Sequence, residues 1–197
     1  MRASSAEEKA HRLRVPVSDD DWSRGLAKAP VTLVEYVDYQ CEHCAALYPV
    51  LEQLARAQRD KLRFVVRHFP VTSSHDRALD GALAAEAAGR QGRLWEMHAR
   101  LFQNPGELAP DTLLAHARAL ALDLARFEDD LNDPELERKI NEEKRQGLRS
   151  GVNGTPTLFI NGMRYDGPRD FDALMNVVAE AAPRLGSGRP TRPVGRS

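Results

Sequence analysis

Two cysteines three residues apart constrain this chain more than any other feature. Cys41 and Cys44 are its only cysteines. They follow a β-branched, strand-like run at residues 31–37 and precede a stretch of helical periodicity at residues 45–57. At such a turn, the free N–H groups and dipole of the helix N-terminus favour a thiolate. We therefore interpret Cys41 as a nucleophilic thiolate and Cys44 as the thiol that resolves a mixed disulfide.

Other uses of a Cys-x-x-Cys pair fit this sequence less well. A structural zinc site needs four ligands, and the chain has neither a second cysteine pair nor a His-x₃₋₅-His spacing, although His43 and His68 are conceivable ligands. Two inert buried thiols conflict with the polar residues Glu42 and His43 between them. A purely structural disulfide across so short a loop would remove little chain entropy.

Length and composition describe an ordinary globular chain. Its 197 residues fit one domain with an elaborated insertion, and its net charge of −1 gives no reason to expect a nucleic-acid partner. No run of 18 apolar residues predicts a membrane span. The first 12 residues lack the apolar core of a secretory signal. Since both cysteines belong to the motif, we expect a cytoplasmic location.

Hydrophobic periodicity divides the rest of the chain. Residues 62–69 form a second apolar run, so strand, helix and strand predict a βαβ unit with a parallel pair. Residues 11–17 predict a short edge strand and residues 18–30 a loop. Residues 71–150 have no strand signal and predict four or five helices. Asn161-Gly162 predicts a type I′ hairpin, and a last amphipathic helix follows to about residue 184.

The order of these elements, with four motifs, resembles the DsbA-like branch of the thioredoxin superfamily. The motifs are Val-Glu-Tyr-Val-Asp-Tyr-Gln-Cys-Glu-His-Cys at 34–44, Arg-His-Phe-Pro at 67–70, Leu-Trp-Glu-Met-His at 94–98 and Gly-Val-Asn-Gly-Thr-Pro-Thr at 151–157. The resemblance covers residues 12–185 and implies an α/β thioredoxin-like fold, a central mixed sheet flanked by helices. Residues 12–70 and 151–185 would form the thioredoxin-like domain, residues 71–150 an inserted helical subdomain, and residues 1–11 and 186–197 flexible tails.

The resemblance also implies roles for residues beside the cysteines. His43 would stabilise the Cys41 thiolate, whereas the carboxylate of Glu42, which stands where family oxidants often carry proline, would raise the pKa of that thiol. These opposed effects leave the reduction potential between roughly −270 and −120 mV. Glu35, on the strand beneath the motif, would be a buried general base for Cys44.

The Thr155-Pro156 pair completes the expected site. In the resemblance this peptide bond is cis, and its loop faces the cysteines, where its backbone pairs with an extended substrate and keeps metals away from the thiols. The resulting hypothesis is a thiol-disulfide oxidoreductase that needs no cofactor beyond the Cys41–Cys44 disulfide. Its partners would be protein or low-molecular-weight thiols and disulfides and a recycling redox protein, with no nucleic acid or membrane.

Three other functions remain as alternatives. A binding or regulatory module would use the groove beside Thr155-Pro156 without turnover, and a small zinc protein would use the cysteines as ligands. A glutathione-linked transferase or isomerase on a related fold would need no second cysteine, so Cys44 disfavours it.

Overall fold

The computed structural model describes residues 12–182. Five strands form one sheet in the order β1-β3-β2-β4-β5, and seven helices pack around it within this range. The strands are β1 (Trp22–Gly25), β2 (Val31–Val37), β3 (Leu62–His68), β4 (Thr157–Ile160) and β5 (Met163–Tyr165). The helices are α1 (Glu42–Ala57), α2 (Ala78–Gly89), α3 (Leu94–Gln103), α4 (Pro110–Ala119), α5 (Leu124–Leu131), α6 (Pro134–Arg149) and α7 (Phe171–Ala181).

The centre of the sheet is the predicted βαβ unit. Strands β2 and β3 are parallel, with Val31 opposite Leu62 and Val37 opposite His68, and α1 connects them. Strand β4 adds antiparallel to β2, and β5 closes the hairpin at Asn161 and Gly162, both of which have positive φ as the predicted turn requires. The sheet is therefore mixed, as expected.

The N-terminal edge of the sheet differs from the prediction. The edge strand expected at residues 11–17 is wrong for the part that the structure describes, where a single bridge joins Arg12 to Met163. The carbonyls of Val15 and Pro16 instead accept hydrogen bonds from the buried Arg67 guanidinium. The edge strand is β1, inside the predicted 18–30 loop, and it runs antiparallel to β3.

The block between residues 71 and 150 is helical, with the five helices α2 to α6. Asp123 and Asp133 cap α5 and α6 by accepting hydrogen bonds from backbone N–H groups in the first turn. The alanine-rich α2 is buried along most of its length. Helix α6 packs closely against the sheet at Gly147. A Cβ added to this glycine would lie only 2.9 Å from the ring of Phe69, so no larger residue fits there without a shift.

A buried polar network joins this helical block to the sheet. The carboxylate of Glu86 on α2 accepts hydrogen bonds from Trp22 Nε1 and from Lys139 Nζ on α6, both at 2.8 Å, and lies 3.1 Å from His68 Nε2. Burial opposes ionisation of Glu86, but the bonds to His68 and Lys139 offset it and lower its pKa to about 2. Glu143 accepts the backbone N–H of His68 at 2.6 Å.

The flexible tails expected at residues 1–11 and 186–197 lie outside the described residues. Among the helices within residues 12–182, none is long and apolar enough to cross a membrane.

Candidate active site

The two cysteines lie at the N-terminus of α1, as the sequence predicts. Cys41 is the N-cap, its carbonyl accepts the N–H of Ala45, and Cys44 lies in the first turn. Both are free thiols in this structure, and they differ in exposure: Cys41 is 5% exposed and Cys44 is 0% exposed. Both sulfurs are thus buried, but Cys41 keeps a small accessible surface and Cys44 keeps none. The roles of nucleophile and resolving thiol stay predictions.

The environment of Cys41 favours a thiolate. A hydrogen bond from the Cys44 thiol lowers the pKa of Cys41 most, and further hydrogen bonds from the Thr155 side chain and from the backbone N–H groups of Cys44 and His43 lower it again. These effects exceed the opposing effect of burial and bring the pKa to about 5. Burial instead raises the pKa of Cys44, which stays a thiol and a hydrogen-bond donor.

The residues between the cysteines point outward. Glu42 and His43 are both exposed, and His43 lowers the pKa of Cys41 through its backbone N–H. The effects that the sequence assigned to the His43 imidazole and the Glu42 carboxylate stay predictions.

The Thr155-Pro156 loop lies against Cys41. The peptide bond is cis, and as a thiol Cys41 donates a hydrogen bond to the Thr155 carbonyl at 3.3 Å. The Thr155 hydroxyl is buried and has no hydrogen-bond partner among the described residues while Cys41 is a thiol, so it is available as a donor to the Cys41 thiolate. The loop before β4 therefore supplies one wall of the site and α1 supplies the other.

Glu35 lies beneath the pair on β2, opposite Val66 of β3 and Leu158 of β4. It is 2% exposed, and its Oε1 has no hydrogen-bond partner within residues 12–182. Burial raises its pKa to about 8, although the positive charges of Arg24 and Arg169 lower it. Its charge raises the pKa of Cys44, so the carboxyl and the buried thiol influence each other's ionisation.

Sequence reasoning missed the residue that fixes the loop before Cys41. One carboxylate oxygen of Asp38 accepts the N–H of Gln40, and the other accepts the N–H of Val71 and lies 2.8 Å from His75 Nδ1. Asp38 is 1% exposed, and its carbonyl accepts the N–H of Cys41 at 3.2 Å. The signal that could have identified it is an aspartate directly after a strand, since such a side chain often accepts the backbone N–H two residues further on and so fixes a turn.

An aromatic cluster supports the site from the helical block. Tyr39 and His98 are buried, with the Tyr39 hydroxyl 3.0 Å from His98 Nδ1, and Phe102 packs against both rings. Burial lowers the pKa of His98 to about 3, so its imidazole is neutral at physiological pH. His98 is therefore a packed, hydrogen-bonded core residue beside the motif.

A shallow groove of about 260 Å³ opens beside the cysteines, between α1 and the loop before α7. Its walls are His43, Ala46, Leu47, Val50, Pro156 and Arg169. Arg169 is the second feature that sequence reasoning missed, since a lone arginine before a helix forms no recognisable motif.

Neither cysteine belongs to a group of three possible metal ligands in the described part of the chain. The group found there is His68, Glu86 and Glu143, whose ligand atoms lie within 4.8 Å of one another. In this group the ammonium of Lys139 already contacts both oxygens of Glu86 at 2.8 Å. The positive charge that a cation would bring is thus supplied by the protein.

Comparison with known proteins places this geometry in a family. Residues 18–180 match the thioredoxin family. The chain belongs to the thioredoxin family. Among solved structures it is similar to a thioredoxin-like oxidoreductase from Silicibacter pomeroyi, with 26% identity, a TM-score of 0.75, and 83% of this chain and 93% of the other covered. It is also similar to the thiol-disulfide exchange protein α-DsbA2 from Wolbachia pipientis, with 25% identity, a TM-score of 0.72, and 80% and 85% covered.

These similarities identify a DsbA-like member of the thioredoxin superfamily and confirm the thioredoxin-like fold. Sequence relatives include a protein named Na⁺/H⁺ antiporter NhaA 1 from Salinispora arenicola, 44% identical over 170 residues. Another, named Na⁺/H⁺ antiporter NhaA, from Herminiimonas arsenicoxydans, is 35% identical over 173 residues. The matches cover 86% and 87% of this chain but 26% and 27% of the relatives, so the chain spans about a quarter of their length.

Proposed function

We propose that this DsbA-like thioredoxin-family chain is a thiol-disulfide oxidoreductase whose reactive pair is Cys41 and Cys44. The observation that carries the proposal is the contrast between the two thiols: Cys41 is 5% exposed and has a pKa of about 5, whereas Cys44 is fully buried and burial raises its pKa. A nucleophile and a protected resolving thiol differ in this way. The two similar structures described as an oxidoreductase and a thiol-disulfide exchange protein support it.

The exchange needs no group beyond the two sulfurs. In the reduced protein the Cys41 thiolate attacks one sulfur of a substrate disulfide, which forms a mixed disulfide and releases the first substrate thiolate. Cys44 then attacks Cys41, which closes the Cys41–Cys44 disulfide and releases the second thiolate. Two electrons have passed to the substrate. Running the steps in reverse oxidises a substrate dithiol, and the reduction potential decides the net direction.

Glu35 would serve the second step as a proton acceptor. Cys44 must lose its proton to attack, yet burial raises the pKa of its thiol. The Glu35 carboxyl lies in the same buried region, and its pKa of about 8 leaves roughly a tenth of it ionised at pH 7. This ionised fraction would accept the proton. The same proton would return to the Cys44 sulfur in the reverse direction. Glu35→Gln should therefore slow resolution of the mixed disulfide at neutral pH, and an unchanged rate would remove this role.

The Thr155-Pro156 loop and the adjacent groove would hold the substrate. An extended segment could run along the loop and form backbone hydrogen bonds in the manner of an added strand. The apolar wall formed by Leu47 and Val50 would then receive side chains next to the reacting cysteine. The partners on this proposal are protein thiols and disulfides and a redox protein that recycles the pair. The antiporter name belongs to much longer relatives and is not carried over to this chain.

Trapping the mixed disulfide tests the proposal. The Cys44→Ser variant should accumulate a covalent adduct with a cysteine-containing disulfide substrate, because the resolving sulfur is gone, and mass spectrometry should locate it on Cys41. Cys41→Ser is the matched control and should form no adduct, since Cys44 is buried. No adduct with Cys44→Ser, despite a native circular dichroism spectrum, would overturn the proposal. A function that survives in Cys41→Ser would support the binding module instead.

A further inference from the structure

The charge of the groove beside Cys41 is not balanced. Two of its six wall residues, His43 and Arg169, can be cationic, and none is acidic. The Arg169 guanidinium forms no ion pair or hydrogen bond with any residue between 12 and 182. It also lies close enough to Glu35 and Tyr165 for its charge to act on both groups. A cation at the rim of a partly apolar groove is thus left for a ligand.

The backbone around Arg169 holds it in place. The Tyr165 hydroxyl donates to the carbonyl of Pro168 at 2.6 Å, and Gly167 packs so closely on the Tyr165 ring that an added Cβ would lie 2.7 Å from the hydroxyl. On the other side, Asp170 caps α7 by accepting the N–H of Ala173 at 2.9 Å. The Asp170 carboxylate is therefore engaged by the helix N-terminus, and Arg169 projects from a fixed turn.

We propose that Arg169 is a specificity-determining residue, and that the groove selects protein segments carrying an acidic residue next to the reacting cysteine. This inference rests on the proposed function. Arginine presents a planar, always charged fork suited to carboxylates. A substrate carboxylate would pair with it, while the apolar side of the groove would take neighbouring carbon-rich side chains. A basic residue at the same place would be repelled by Arg169.

Three short peptides test this selectivity. Each carries one cysteine as a mixed disulfide with uncharged 2-thiopyridine, flanked on both sides by glutamate, glutamine or lysine. The Cys41 thiolate of the reduced protein attacks the peptide sulfur, forms the Cys41–peptide disulfide and releases 2-thiopyridone, whose absorbance gives the second-order rate constant. The informative quantity is the ratio of rate constants for the glutamate and lysine peptides, because an effect on the thiolate itself cancels in that ratio.

At low salt, we expect the wild-type protein to react about three- to tenfold faster with the glutamate peptide than with the lysine peptide, as for partly exposed charge pairs. The ratio should approach one in high salt, where such pairs are screened. Arg169→Gln should lower the ratio towards one, and Arg169→Glu should invert it. Arg118→Glu is the matched control, since it reverses the charge of an exposed arginine on α4, outside the groove, and should keep the wild-type ratio.

The outcomes separate the two proposals. If the reduced protein reacts with none of the peptides, the proposed oxidoreductase function fails. If all three peptides react at equal rates with the wild-type protein, or if Arg169→Gln keeps the wild-type ratio, the role of Arg169 is overturned while the proposed function stands.

Discussion

Replacing Glu35 by glutamine should change how the stability of this protein depends on pH. The carboxyl is buried on β2 without a partner for Oε1, and burial raises its pKa from 4.5 to about 8. The folded state therefore holds this proton over a pH range in which the unfolded chain has released it. By linkage, the stability contributed by the protonated carboxyl is fully present below pH 4.5 and is lost as pH rises towards 8.

The size of this effect follows from the two pKa values. A difference between 4.5 and about 8 corresponds to about 5 kcal/mol in all, of which about 3 kcal/mol is lost between pH 4 and pH 7. Glutamine keeps the shape of the side chain and does not titrate. Glu35→Gln should thus gain roughly 3 kcal/mol over the wild type on raising the pH from 4 to 7.

Urea denaturation of the oxidised protein measures this difference, since the disulfide form carries no titrating thiol. The free energy of unfolding is determined at several pH values between 4 and 8 for both proteins. Titrating groups that both proteins share contribute equally to the two curves and cancel in their difference; His98, whose pKa burial lowers to about 3, is one of them. Glu137→Gln, an exposed glutamate on α6, serves as a control and should follow the wild type. A pH-independent difference between Glu35→Gln and the wild type would refute the raised pKa and, with it, the proton-transfer role.

Three further changes probe the supporting structure. Thr155→Val should raise the pKa of Cys41, because it removes a hydrogen bond to the sulfur, and the pH dependence of thiolate absorbance measures it; an unshifted midpoint would contradict this role. Glu86→Gln should cost about 3 kcal/mol at pH 7, because it leaves a partly buried ammonium without its anion. Denaturation over a series of pH values should show this loss shrinking as the pH falls below 4.5, since the pKa of Glu86 is lowered to about 2. Gly147→Ala should cost about 1–3 kcal/mol through overpacking against two aromatic rings, whereas Gly154→Ala, with open space around it, should cost far less, and equal losses would contradict the packing argument.

Patterns local in sequence predicted much of the fold. The β-branched runs gave β2 and β3, the helical periodicity between them gave α1, and Asn161-Gly162 gave the β4–β5 hairpin. The edge strand could not be predicted in the same way. Within residues 12–17, the carbonyls of Val15 and Pro16 are bound by Arg67, a residue about 50 positions away. Trp22, by contrast, is held at the edge by its bond to Glu86.

The candidate site was predictable to the extent that one motif encodes it. Cys41 and Cys44 follow from their spacing, and the resemblance pointed to Glu35 and to the Thr155-Pro156 loop. Arg169 was not predictable, because the fold alone brings a residue so far along the chain beside α1. The expected influence of His43 rested on its imidazole, whereas the structure gives this residue an effect on Cys41 through its backbone N–H, a group that every non-proline residue carries.

The reduction potential of the Cys41–Cys44 pair tests the central claim most directly. Lowering the pKa of Cys41 from 9 to about 5 stabilises the reduced form at pH 7 by about 2.7 kcal/mol. That corresponds to a potential about 60 mV less negative than the same pair would have with an ordinary thiol. The protein should therefore be a stronger oxidant than thioredoxin, whose potential is about −270 mV.

Equilibration in glutathione buffers, read by the mass shift of a thiol label, gives this potential. We predict a single two-electron transition near roughly −200 mV that disappears in Cys44→Ser. A value near about −270 mV would mean that the Cys41 thiolate is no more stabilised than that of thioredoxin, whose cysteine pKa is about 7. A pair that forms no disulfide in any buffer would contradict the redox function altogether.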